Sequence, residues 1–149
     1  MRKDILEALT NFCNERNAQL ESFPLGTAIS LPTQTIICHF NGANLQLRSY
    51  VFLEKEAISN TELISLYRVI NSIQMIRPTV LKVVYVENLK RLEICFEISL
   101  LKYMDIPREL PKTLNTVVSL FEIVIDVFQN YMTYKENPLS SLSEKIDEI

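Results

Sequence analysis

The chain is predicted to fold as an α+β domain, an antiparallel sheet of about five strands packed with helices. Three observations lead there. Asn41-Gly42 sits between two apolar runs in the manner of a hairpin turn. Residues 91–100 alternate strictly between apolar and polar. At both ends of the chain the apolar residues instead recur at helical spacing. The expected order is α-β-β-β-α-β-β-α.

The first helix is read from Ile5, Leu6, Leu9, Phe12 and Cys13, which fall on one stripe of a helical segment covering residues 4–20. Ser22-Phe23-Pro24-Leu25-Gly26 stops it, and a short strand over Thr27–Leu31 ends at Pro32. Asn41-Gly42 then joins Thr35–Phe40 to the run Asn44–Leu53 through a type I′ turn, which needs positive φ angles. In the second run Leu45, Leu47, Val51 and Leu53 share a face opposite Gln46 and Arg48.

Ser59-Asn60-Thr61-Glu62 has the form of a capping box, in which serine and glutamate each satisfy the other's exposed amide. Leu63, Leu66, Tyr67, Ile70 and Ile73 continue at helical spacing until Pro78 forbids it. Two strands follow, Val80–Val86 and Leu92–Leu100, joined through Glu87-Asn88-Leu89-Lys90. The last helix runs from about Arg108 to Tyr134. Residues 1–136 form one domain, and 137–149 a C-terminal tail, partly flexible or folded back as a short helix on Leu139, Leu142 and Ile146.

Composition narrows the function. A chain of 149 residues with 48% hydrophobic and 22% charged residues can bury a core without cross-links. The net charge is −3; residues 135–149 carry −2 of it, two lysines against four acids, leaving −1 for the body. Such a body, without basic clusters, is a poor footprint for nucleic acid or an anionic membrane, so no nucleic acid and no membrane partner is expected. The start of the chain has no apolar signal region. Cys13, Cys38 and Cys95 are odd in number and set in apolar patterns, as suits free thiols in the reducing cytoplasm.

Residues for chemistry are sparse. His39 is the one histidine, and on a strand it points away from neighbouring Cys38, so the two do not pair as base and nucleophile. The cysteine spacings do not suit zinc. Glu122 and Asp126 share a helical face with Asn115, Ser119 and Asn130, the pattern of a solvated strip. Glu93 and Glu97 flank Cys95 on the wetter sheet face. With two glycines and no phosphate-binding or nucleophile-elbow motif, no catalytic residue, metal or cofactor is assigned.

The last helix is apolar on two sides. Leu110, Leu114, Val117, Phe121, Val124, Ile125 and Phe128 form one stripe, suited to the sheet. Leu120, Ile123, Val127, Tyr131 and Tyr134 form another, which either takes the tail or serves as a protein-binding or dimer interface. On the interface reading, charges at Ile123 and Val127 dissolve an assembly and leave the fold intact; unfolding marks them as core.

In element order and size, residues 3–134 resemble the type III secretion chaperone-like fold, including the YbjN-like group of proposed sensory transduction regulators. The residues that carry this are the leading helix, the Asn41-Gly42 hairpin, the helix Leu63-Ile64-Ser65-Leu66-Tyr67-Arg68-Val69-Ile70-Asn71, the hairpin Val80–Leu100 and the long closing helix. The resemblance implies a non-catalytic protein-binding module, chaperone-like or a regulatory adaptor, with a protein partner or itself as a homodimer. Two alternatives stand beside it. One is an assembly subunit, and the other is a small-molecule sensor or uncharacterised stress-related regulator, or an undetected enzyme, with a pocket near Arg48, Arg68 and His39.

Overall fold

The computed structural model describes residues 2–24, 26–52, 60, 64, 67–68, 70–71 and 82–134, the last four without their side chains. Helix α1 (Lys3–Arg16) leads. Strands β1 (Gln19–Phe23), β2 (Gly26–Ser30), β3 (Thr35–Asn41) and β4 (Asn44–Phe52) follow. Then come β5 (Lys82–Val86), β6 (Arg91–Ser99) and helix α2 (Ile106–Tyr134). The strands make one antiparallel sheet in the order β1-β2-β3-β4-β6-β5. The capping box and most of the helix expected from residue 59 lie outside the described residues. Those that are described between β4 and β5 (Asn60, Ile64, Tyr67, Arg68, Ile70 and Asn71) are helical.

The first helix is shorter than its spacing suggests, and the sheet has a sixth strand. Asn17 adopts a left-handed conformation (φ 54°) and Ala18 N–H donates to Cys13 O at 2.9 Å, which ends α1 at Arg16, four residues before Leu20. Leu20 instead enters β1, opposite Ile29. Ala8 completes the buried stripe of α1, while Leu6 is 40% exposed. The turn after β1 requires Gly26, since a Cβ there would stand 2.7 Å from Cys38 O. The β3–β4 turn also differs by one residue. Asn41 pairs with Asn44, so Gly42 and Ala43 are the central residues, and only Gly42 has positive φ (61°). That is the pattern of a type II′ turn, with glycine first.

Strand alternation divides the sheet into a covered and an open face. Ile29, Ile36, Cys38, Leu45, Leu47, Leu92, Ile94 and Val83 face the helices and are buried. Ser49, enclosed between Ile36 and Ile94, donates to Thr35 O at 3.4 Å. From α2 come Leu110, Leu114, Val117, Val118, Phe121, Val124, Val127 and Phe128. Each fully buried phenylalanine contributes roughly 1.5–3 kcal/mol by leaving water.

Helix α2 depends on α1 at its start. Glu109 accepts from the Met104 and Asp105 amides at 3.0 and 3.2 Å, satisfying donors at the helix entry. Pro111 inside the helix has no N–H to offer Pro107 O. Asn11 of α1 donates to that carbonyl instead, at 3.3 Å, and Arg16 Nε meets Asn115 Oδ1 at 2.8 Å one turn and more beyond. The two helices therefore run side by side in the same direction.

Gly26→Ala should cost on the order of 1–3 kcal/mol, because backbone must move to admit the methyl group; an unchanged urea midpoint would show that it need not. Burial raises the Cys13 thiol pKa, and burial then Cys13 itself raise that of Cys38, whereas Cys95 is half-buried on the open face. Native protein should then give one fast-reacting thiol with a disulfide reagent and three after denaturation; fast reaction of Cys13 or Cys38 would mean that the core opens.

Candidate functional site

The open face is laid out by the pairing of β4 with β6 and of β6 with β5. Register brings Arg48, Cys95 and Lys82 into one row across three strands, and Tyr50, Glu93 and Val84 into the next. Phe52 and Val84 are 67% and 52% exposed there. Arg91 stacks 4.5 Å from the Tyr50 ring centre and pairs with Glu93 at 2.7 Å. Between these strands lies a hollow of about 210 Å³, walled by Arg48, Lys82, Val84, Glu93 and Glu97 around Cys95. At Arg48 burial opposes the charge, but Cys95 and Tyr50 outweigh it and raise the guanidinium's pKa, so it stays a cation.

Two other concavities have less to offer. A broad, open groove of about 820 Å³ between α1 and the start of α2 mixes charges of both signs, including Glu7, Glu15, Arg108 and Lys112. A hollow of about 280 Å³ beside the β1–β2 turn is lined by Phe23, Thr27, His39 and Phe40. Arg48 and His39 thus share a face but line different hollows, and Arg68, exposed, lines none of these three. His39 is exposed while Cys38 is wholly buried, on opposite faces as alternation requires. Glu122 and Asp126 are both exposed. Among the described residues, no group of three His, Cys, Asp or Glu could hold a metal ion.

The second stripe of α2 divides. Leu120 and Ile123 are partly buried, and Ile123 packs against the core. Val127 is 1% exposed and belongs to the core, since the covered side of α2 is wider than a single stripe. It has no surface to give a partner, which corrects its place among the interface residues. The side chains of Tyr131 and Tyr134 lie outside the described residues. The row Arg48–Cys95–Lys82 was not assembled from sequence. Parity places Glu93, Cys95 and Glu97 together, but the alignment with Arg48 and Lys82 depends on a pairing between distant strands.

No protein-family model matches the chain, and no curated protein matches it by sequence. Among the described residues, no helix is long and apolar enough to cross a membrane. The fold matches that in the crystal structure of YbjN from E. coli, a proposed transcription regulator, with a TM-score of 0.58 over 84% of this chain and 92% of that one. Identity between the two is 8%. The chain therefore has a YbjN-like α+β fold.

Proposed function

We propose that this chain is a non-catalytic protein-binding module, a regulatory adaptor or chaperone-like protein, which receives its partner on the open face of its sheet. The observation that carries this is the one-sided covering. The helices sit on one face, and the other presents Phe52 and Val84 beside polar groups already positioned by Arg91. Large apolar side chains amid satisfied polar neighbours suit a protein surface better than a small ligand, which needs an enclosing pocket. The regulatory name of the YbjN structure agrees with an adaptor, and the three free cysteines suit the reducing cytoplasm. Leu120 and Ile123 on α2 are a second contact surface in the same proposal.

A tagged capture from the native host tests this, with the wild type beside Phe52→Asp/Val84→Asp and Ile123→Asp. One stoichiometric partner should be lost with the open-face variant while its melting temperature stays within about 3 °C of wild type. Loss only with Ile123→Asp would move the contact to α2. Val127→Asp should lower the melting temperature by far more, as a charge placed in the core. Recovery of the chain alone, as a homodimer or monomer, would turn attention to small ligands.

A further inference from the structure

Among the described residues, the row Arg48–Cys95–Lys82 has a charge imbalance that its neighbours do not cancel. The two cations stand on either side of β6, two strand spacings or about 10 Å apart. Among the described residues neither is in an ion pair. Glu93 is held by Arg91 at 2.7 Å, so it adds no free charge to the hollow. Arg48 and Lys82 against Glu97 leave the hollow at +1, in a chain whose net charge is −3. Long-range repulsion from the rest of an acidic chain is screened beyond about 8 Å at physiological salt, whereas a group lodged in the hollow is much closer than that to both cations.

We propose that this hollow seats the carboxylate of a glutamate from an extended segment of the protein partner, between Arg48 and Lys82. This deepens the protein-binding reading and rests on it. An extended segment lying along β6 presents every second side chain to the sheet, about 6.8 Å apart. The same interval separates the Lys82 row from the Val84 row. In a segment that runs parallel to β5, a glutamate over Cys95 therefore brings the side chain two positions along over Glu93, beside Val84 on β5, which is exposed and apolar. The segment chemistry selected is a glutamate followed, two residues on, by an aliphatic residue.

The probe is an acetylated, amidated serine-rich heptapeptide with Glu-Ser-Leu at its centre, titrated into the isotope-labelled full chain and followed by amide shifts. Saturable shifts at Arg48, Lys82, Val84 and Cys95 are expected. The variant Arg48→Gln/Lys82→Gln should bind roughly fivefold to tenfold more weakly, as two exposed ion pairs allow. Raising the salt should weaken the wild type towards the variant. Equal binding of a Gln-Ser-Leu peptide, shifts that do not saturate, or shifts elsewhere would overturn the proposal. The same saturable shifts with inorganic phosphate would overturn the peptide occupant in favour of a small anion. A native partner captured equally by wild type and Arg48→Gln/Lys82→Gln would remove this site and keep the protein-binding reading; capture of no partner by either would remove the reading itself.

Discussion

The pairing of β4 with β6 organises everything else in the molecule. It runs from Asn44 opposite Ser99 to Phe52 opposite Arg91 and joins two hairpin systems that are separated in the chain by residues 53–81. Because side chains alternate along a strand, a slip of one residue in this ladder would turn Leu92, Ile94 and Ile98 to solvent and Glu93, Cys95 and Glu97 to the helices. The burial of Leu45, Leu47 and Val51 on one strand against Leu92, Ile94 and Ile98 on the other excludes that slip. The covered and open faces are thus one decision, taken once and carried outward by β3 and β5.

Much of this could be read locally. Strict alternation over residues 91–100 marked β6 and both of its faces, and the apolar stripe from Leu110 to Phe128 marked the side of α2 that packs. What escaped was set by context. Leu20 continues a helical pattern in the sequence, but Asn17 turns the chain and β2 offers Leu20 a partner, so a strand replaces the last turn. Asn41-Gly42 marked the hairpin, yet the register of β3 on β4 moved the turn on by one residue. Val127 looked like surface because helical spacing sets it off the main stripe, and the width of the packed side of α2 decides otherwise.

The candidate site was less legible than the fold, for the same physical reason. The residues of the hollow come from three strands, and each alone is an ordinary surface residue. They acquire meaning through the neighbours that non-local pairing supplies: Lys82 by lying level with Arg48 across Cys95, Glu93 by being taken up by Arg91. The backbone is kept while the sequence diverges, as the 8% identity to the YbjN structure illustrates.

The bond from Asn11 to Pro107 O has a consequence for synthesis. Helix α1 leaves the ribosome before α2, and the carbonyl it satisfies belongs to a residue made 96 positions later. At about 5–20 residues per second, its apolar stripe waits roughly 5–20 s for the helix beside which it finally rests. Until β5 and β6 are also made, Ile5, Leu9 and Phe12 have only part of the sheet to shelter against. During synthesis, then, an apolar surface that the finished protein hides lies open to other chains.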